Sequence, residues 1–342
     1  METILVTGAA GFIGFHLSKI LCEKGYHVVG IDNINSYYDI NLKYGRLKEL
    51  GIAETEAKTY YIKCNSELYS NFTFYRTNLE DEEFLNELFK IYAFQRVINL
   101  AAQAGVRYSI ENPKAYGQSN LIGFLNILEN CRHHQVKHLM YASSSSVYGN
   151  SVDVPFQTSQ NVDHPISLYA ATKKANELMA HAYSHLYQIQ TTGLRFFTVY
   201  GPWGRPDMAM FLFTDAILNH KPLKVFNHGD LSRDFTYIDD IIQGIVNLIE
   251  KEKNEPLYQL YNIGNSKPVQ LMDFIREIEK STGLKAELEM LPMQAGDVNQ
   301  TWADVEDLKE NFDYQPNYPV DKGVANFVQW YKNYYLSTPI TK

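Results

Sequence analysis

Apolar positions over the first two hundred residues follow two alternating rhythms. Short β-branched runs recur, and each leads into apolar residues at the three- and four-residue spacing of a buried helix face. Ile4, Leu5 and Val6 open the first run, and Phe12, Ile13, Leu17, Ile20 and Leu21 continue it as a helix. His27 to Asn33 reads as a second strand, and Phe72 to Leu79 as a third with an acidic helix start at Glu80 to Glu83. Arg96 to Ala102 is a fourth, followed by a loop carrying Arg107 and a helix expected from Pro113 to His133. Lys137 to Ser143 is a fifth, running into four serines. Residues 36–73 break the rhythm as a Tyr-, Lys- and Glu-rich insertion, with a helix expected near Leu42 to Leu50 and no evident chemistry.

Strand–helix alternation from residue 3 to about 200 predicts an α/β fold, a Rossmann-type doubly wound parallel sheet with right-handed crossovers. Beyond residue 200 the rhythm lapses, and a smaller C-terminal α/β substrate-binding lobe is expected. Arg233 to Asp240 opens another long helix, so the chain is expected to cross back. The division expected is 1–200 with contributions from about 233–265 for the first domain, and 201–342 for the second. Asp239 and Asp240 read as helix-start acids favoured by the helix dipole.

Between the first strand and its helix lie Gly8, Gly11 and Gly14, spaced G-x-x-G-x-x-G. In such a turn the first glycine permits the bend, the second lets backbone approach a pyrophosphate, and the third lets helix lie close on strand. The helix N-terminus then faces the phosphates. Asp32 ends the second strand about twenty residues on, where the adenosine ribose is read. A carboxylate there accepts both ribose hydroxyls and repels a 2′-phosphate, which predicts NAD over NADP. Asn78 ends the third strand, where such folds contact adenine.

Charge and composition narrow the partners. A net charge of -8, with no long basic run, argues against a nucleic-acid surface. No apolar run is long enough for a membrane span, and the first residues enter a core strand without a cleavable signal, so a cytoplasmic protein is expected. Cys22, Cys64 and Cys131 lack C-x-x-C spacing and read as reduced, structural thiols. The ten histidines show no ligand spacing, so no metal is expected.

Tyr169 and Lys173, downstream of Ser143 to Ser146, carry the candidate chemistry. Four apart on a helix, they share a face. Bringing a tyrosine from its usual pKa near 10 to neutrality requires about 4 kcal/mol of differential stabilisation. A lysine ammonium and an oxidised nicotinamide could supply it. The tyrosinate would then take a proton from a substrate hydroxyl while the carbon gives hydride to the ring, with a serine holding the oxygen.

With these motifs the chain resembles an extended short-chain dehydrogenase/reductase, and within that superfamily the nucleotide-sugar 4-epimerases, most closely those acting on UDP-glucuronate. The likeness covers nearly the whole chain. It rests on Asp32 to Asp39, Ala101 to Ser109, Arg195 to Met208, Arg233 to Asp240, Tyr261 to Asn265, and Gly296 to Val298 before Ala303-Asp304. The segment from Trp203 to Met208 is the most specific of these.

The resemblance implies that Tyr169 is the base, that Lys173 lowers its pKa and binds nicotinamide ribose, and that Ser144 or Ser146 orients the sugar 4-hydroxyl, with Ser145 on the substrate side. It implies cofactor contacts from Gly8, Gly11, Phe12, Ile13, Gly14, Asp32, Asn33, Asn35, Asn78, Leu79, Leu100, Ala101, Ala102, Gln103, Asn120 and Phe196. Arg233 and Asp297 match residues that hold the UDP diphosphate and ribose. Related dehydratases and decarboxylases carry a carboxylate where this chain has Ser145 and Ser146. Its absence favours hydride out, rotation of a 4-keto sugar, and hydride back, with NAD retained. Gln294 in place of an arginine, and Thr198 in place of an asparagine, point to the uronate branch. Arg205 or Arg107 could supply the counter-charge for a sugar carboxylate. Asn78 and Asn99 depart from the usual Asp and His but keep hydrogen-bonding ability. The expected activity is interconversion of UDP-glucuronate and UDP-galacturonate for surface polysaccharide synthesis. The alternatives are a 4-epimerase of neutral or N-acetylated UDP-hexoses, or a silent NAD-binding regulator, against which Tyr169 and Lys173 speak. A homodimer through the helices around 113–133 and 168–187 is also implied.

Overall fold

The computed structural model describes residues 2–251, 256–293 and 298–336. It divides into two compact units, 1–150 with 158–196 and 248–261, and 151–157 with 197–247 and 262–342. The expected boundary at 200 thus falls at 196/197. The return to the first unit is 248–261, shorter than the 233–265 expected, because most of that segment builds the second unit.

In the first unit the elements are β1 (Thr3–Thr7), α1 (Phe12–Glu23), β2 (His27–Asp32), α2 (Ile40–Glu49), α3 (Glu54–Ala57), β3 (Cys64–Asn65), β4 (Phe72–Arg76), α4 (Glu82–Tyr92), β5 (Arg96–Asn99), α5 (Tyr108–Glu111), α6 (Pro113–Tyr116), α7 (Gly123–His133), β6 (His138–Ser144), α8 (Leu168–Tyr187) and β7 (Gln190–Phe196). The second unit holds β8 (Thr198–Tyr200), α9 (Ala209–Leu218), β9 (Leu223–Val225), β10 (Ser232–Arg233), β11 (Phe235–Tyr237) and most of α10 (Ile238–Glu250). After β12 (Tyr258–Ile263), which passes from the first unit into the second, it continues with β13 (Val269–Gln270), α11 (Leu271–Thr282), β14 (Leu288–Met290), α12 (Glu306–Phe312) and α13 (Val320–Tyr331).

The main sheet runs β12-β7-β6-β5-β1-β2-β4-β3. Pairings from β4 through β2, β1, β5 and β6 to β7 are all parallel, and only β3 is shown antiparallel. This is the doubly wound order: the chain adds its parallel strands outward on one side of β1 and then, from β5, on the other, and in such sheets ligands lodge at the carboxyl ends beside that switch. One face is covered by α4 and α7. Leu85, Leu88, Phe89, Phe124, Ile127 and Leu128 there join Leu5, Val29, Val97 and Leu139 of the strands in one buried cluster. Full burial of each such side chain contributes about 1.5–3 kcal/mol. The single helix expected over 113–133 is instead α6 and α7 joined by a π-helical stretch, Gly117–Ile122. Such a widened turn needs local support, and Asn120 supplies it, as described below.

Helix α8 is fixed by charge as well as by packing. Arg195 on β7 and Glu177 on α8 are each about 1% exposed and bond in two parallel contacts, Nε to Oε1 at 2.8 Å and Nη2 to Oε2 at 2.9 Å. Arg195 Nη1 also donates to the Tyr148 hydroxyl at 3.0 Å. In the second unit Phe235 and Phe274 stack at 3.8 Å, and Tyr237 and Tyr318 at 3.9 Å. The three cysteines are free and buried, and burial pushes Cys22 up to about 12 and Cys64 to about 11. Removing one partner of a buried pair strands the other charge. Glu177→Ala should therefore lower stability by about 3–5 kcal/mol in urea denaturation. Glu177→Met with Arg195→Met together should lose much less, and equal losses would contradict this account of the pair.

Candidate active site

The glycine turn is dictated by close approaches. Gly8 has φ +74, and a Cβ on it would lie 2.9 Å from the Ala101 nitrogen. Its carbonyl accepts from the Gly11 amide at 2.8 Å, and a Cβ at Gly14 would run into that same carbonyl. Helix α1 starts at Phe12 with Gly11 as an extended N-cap that offers no capping side chain. By contrast Asp81 and Ser167 cap α4 and α8 with their own side chains. The first-turn amides of Phe12, Ile13 and Gly14 have no intrahelical partner, and the glycines around them pack backbone on backbone, with a Cβ on Gly8, Gly11 or Gly14 falling within 3 Å of it. These features fit the pyrophosphate of a dinucleotide.

Asp32 is 8% exposed at the end of β2, its carboxylate accepting from the amides of Ala10 at 3.2 Å and Ile34 at 2.7 Å. The 36–73 insertion, whose sequence carries no evident chemistry, delivers two cations here. Lys43 donates to Asn35 Oδ1 at 2.9 Å and stands 3.9 Å from Asp32 Oδ1. Arg46, fully buried, donates to the Ala10 carbonyl at 2.9 Å and to the Tyr38 hydroxyl at 2.7 Å. It braces the glycine turn. Lys43 lies four residues from Leu47, and Arg46 four from both Leu42 and Leu50, on the buried face of α2. Asn33 Oδ1 accepts from the Asn35 amide, and the Asn33 carbonyl from Arg76.

Across the turn, Thr7 donates to Asn99 Oδ1 at 2.7 Å and accepts from the Ala101 amide at 3.0 Å. Asn99 thus joins the ends of β1 and β5. Leu100, Ala101 and Ala102 continue past β5 as half-buried chain beside Gly8. Gln103 is buried, its amide donating to Asn120 Oδ1 at 2.7 Å and its carbonyl accepting from Asn120 Nδ2 at 3.1 Å. Asn120 Nδ2 also donates to Thr172 Oγ1 at 3.0 Å, and the Asn120 carbonyl accepts from Asn176 at 2.6 Å. Asn120 therefore ties the cofactor-side loop to α8 through its own amide group. Asn78 is half-buried beyond β4, and Leu79 is buried with its carbonyl held by Asn126 at 2.9 Å. Phe196 is 8% exposed at the end of β7.

Tyr169, Lys173 and Glu177 recur every four residues on one face of α8. Lys173, 3% exposed, donates to the Ala142 carbonyl on β6 at 2.8 Å and lies 5.9 Å from the Tyr169 ring centre. Burial lowers its pKa to about 8. Tyr169 is half-buried and meets Tyr116 edge-on at 6.1 Å. The four serines separate by function. Ser143 faces α8 and donates to Glu177 at 2.6 Å. Ser144 Oγ accepts from the Ser146 amide at 3.1 Å and from the Ser146 hydroxyl at 2.9 Å. With both lone pairs engaged, Ser144 has its own O–H left to give. Ser145 is half-buried in the following turn. Arg107 is exposed at the start of α5.

In the second unit Thr198 opens β8, its amide donating to the Asp234 carbonyl at 3.1 Å, and its strand lies beside β11. Arg233 donates to the carbonyls of Ser232 at 2.9 Å and Asn299 at 3.1 Å. Asp234, fully buried, accepts from the amides of Asn265, Ser266 and Ala303 and from Thr236. Burial pushes its carboxyl up, and these donors pull it back. Asp239 and Asp240 do stand in the first turn of α10, but Asp240 is 5% exposed and accepts from the Tyr318 amide at 3.0 Å, so it also anchors a loop. Arg205 is held by Asp207, Nε to Oδ1 at 3.0 Å and Nη2 to Oδ2 at 2.5 Å. Gln294 and Asp297 lie outside the described residues. Among the described residues no group of three His, Cys, Asp or Glu could hold a metal ion, and no helix is long and apolar enough to cross a membrane.

The model of the NAD dependent epimerase/dehydratase family matches residues 4–264. Protein CapI of Staphylococcus aureus is 50% identical over 97% of this chain and 99% of its own length. A probable UDP-glucuronate 4-epimerase of Rhizobium meliloti is 44% identical over 97% of each chain. Among solved structures, UDP-glucuronic acid 4-epimerase from Bacillus cereus, in complex with UDP-glucuronic acid and NAD, superposes with a TM-score of 0.88 at 34% identity. That match covers 98% of this chain and 100% of the other.

The buried Lys173 makes stability depend on pH. Its folded pKa, about 8, lies below its ordinary value of 10.5. Between these values the unfolded chain binds a proton that the folded chain does not, so the folded state gains as pH rises. The Tm of cofactor-free protein relative to Lys173→Met should therefore increase from pH 7 to pH 9.5. A relative decrease would contradict a buried, depressed lysine.

Proposed function

We propose that this chain, which belongs to the NAD dependent epimerase/dehydratase family, interconverts UDP-glucuronate and UDP-galacturonate through a 4-keto sugar. The observation that carries the reading is that Lys173, one turn from Tyr169, bonds the Ala142 carbonyl of β6, the strand whose end carries the mutually bonded Ser144 and Ser146 and no proton-donating carboxylate. NAD, when bound, supplies the hydride acceptor and then the donor. The amides of Phe12, Ile13 and Gly14 hold its pyrophosphate, Asp32 accepts its ribose hydroxyls, and Lys173 reaches its nicotinamide ribose.

Tyr169 takes the proton of the sugar 4-hydroxyl. The ammonium of Lys173, one helical turn away in a dry site, favours the tyrosinate. Ser144 gives its O–H to the 4-oxygen, and Ser146 holds Ser144 in that orientation. After the keto sugar rotates, Tyr169 returns the same proton as hydride re-enters the other face. Protons and electrons balance over the cycle, and the cofactor ends as it began. Thr198 and Arg233 serve the nucleotide end, with Asp297 as their proposed companion.

Arg205 receives the sugar carboxylate. Asp207 sets its plane through the Nε–Nη2 edge, and a guanidinium has a second fork along Nη1–Nη2. Arg107 is the other cation proposed near the sugar. A neutral-sugar 4-epimerase is the second reading, favoured by the carboxylate that Asp207 already provides to Arg205. The chain acts as a homodimer, a reading supported by the exposed Ile122 and Leu125 on the π-helical stretch and α7, and Leu178 and Leu186 on α8. Its place is the cytoplasm, in keeping with three free buried thiols, and its product serves surface polysaccharide synthesis.

Purified protein without added NAD should convert UDP-glucuronate, and UDP-glucose or UDP-N-acetylglucosamine far more slowly. Turnover of only the neutral sugars would establish the second reading instead. Tyr169→Phe should lower kcat by about 10²–10⁴-fold, with UDP binding unchanged by calorimetry. Near-normal turnover would remove Tyr169 as the base.

A further inference from the structure

The second unit contains an aromatic cluster that the proposed mechanism does not use. Trp203 lies in the loop carrying Arg205 and has φ +63. A bulky side chain persists in that left-handed region only when its surroundings over-determine it. Here they do. The Trp203 ring lies 5.3 Å from Trp330 on α13 and 4.9 Å, edge-on, from Tyr334 in the turn that follows. Trp330 and Tyr334 themselves stack at 5.7 Å, with planes 17° apart.

The base of this cluster is rigid. On α13 Phe327 is fully buried, and the Tyr331 hydroxyl donates to Asp215 on α9 at 2.8 Å. On the other side of Trp203, the loop folds on itself, with the Gly204 amide donating to the Gly201 carbonyl at 3.0 Å and Met208 to the Arg205 carbonyl at 3.2 Å. Gly201 has φ +145, and a Cβ there would stand 2.6 Å from Ile238 Cγ2. The backbone is thus pinned before Trp203 and after Arg205, and the indole fixes what lies between.

We propose that Trp330, with Tyr334, is a positioning residue for sugar recognition: it clamps Trp203 in its left-handed conformation and so fixes the Arg205 guanidinium for the sugar carboxylate. This rests on the reading of Arg205 given above. The clamp acts through Arg205 alone, so losing it should weaken recognition of the carboxylate and leave recognition of the nucleotide intact.

The test is a double-mutant cycle on the full-length holoenzyme. Trp330→Ala should raise KM for UDP-glucuronate by about 10- to 100-fold, the scale of a small misplacement of a binding group. Its Kd for UDP, which has no sugar carboxylate, should stay within about two-fold. Trp330→Phe keeps a ring and should recover most of the loss. Trp330→Ala combined with Arg205→Ala should be no worse than Arg205→Ala alone, because the clamp has nothing left to position. A KM for Trp330→Ala within about two-fold of the starting protein, or effects of the two substitutions that multiply, would overturn the proposal. A parallel loss of UDP binding would also overturn it, since that marks a general packing role. Should Arg205→Ala itself leave the KM for UDP-glucuronate unchanged, the reading of Arg205 fails first, and this is visible without Trp330.

Discussion

Three side chains stand at four-residue intervals along α8, and the lower two tie the helix to the sheet and so set the place of the third, the proposed base. Glu177 is the lowest, bonded to Ser143 of β6 and to Arg195 of β7. Lys173 is one turn up, bonded to the Ala142 carbonyl. Tyr169, one turn higher, is what those two bonds deliver. A long helix laid on a sheet by apolar contacts alone can slide or roll by an ångström, and that is enough to misplace a proton-transfer group. Two successive charged bonds to adjacent residues of one strand remove that freedom. Their burial makes them rigid, and Lys173 bears the consequence as a depressed pKa.

The same economy governs the opposite side of the first unit. Arg46 and Lys43 arrive from an insertion, and each is buried against a carbonyl or carboxylate at the edge of the glycine turn. The turn itself exposes backbone donors to a ligand, so it cannot be held by its own side chains. Support has to come from outside, and α2 supplies it. Asn120 does the equivalent work for the loop after β5, binding both backbone groups of Gln103 at once. Polar side chains from elsewhere in the first unit therefore hold the backbone of both loops.

Much of this is legible in the sequence. Short β-branched runs and the three glycines located the sheet and its turn, because those features are local and each residue type has one main reason to be there. Asp32 was legible for the same reason. Lys43 and Arg46 were not, since charged residues on a helix ordinarily mean a solvated face, and nothing local reveals that this face turns inward. The four serines are identical letters. Only the pleat of β6 sends Ser143 to Glu177 and leaves Ser144 with a hydroxyl to donate. The clamp between Trp203 and Trp330 joins residues more than a hundred positions apart, beyond the reach of any periodicity.

The central claim is that one hydride leaves C4 of the sugar and returns to the same molecule, guided by Tyr169 and Ser144 with no acid to divert it. UDP-glucuronate deuterated at C4, turned over without added NAD, tests this directly. The account predicts UDP-galacturonate with deuterium retained at C4 by mass spectrometry and NMR. Product carrying hydrogen at C4, with the label released to solvent or to a free cofactor pool, would contradict it.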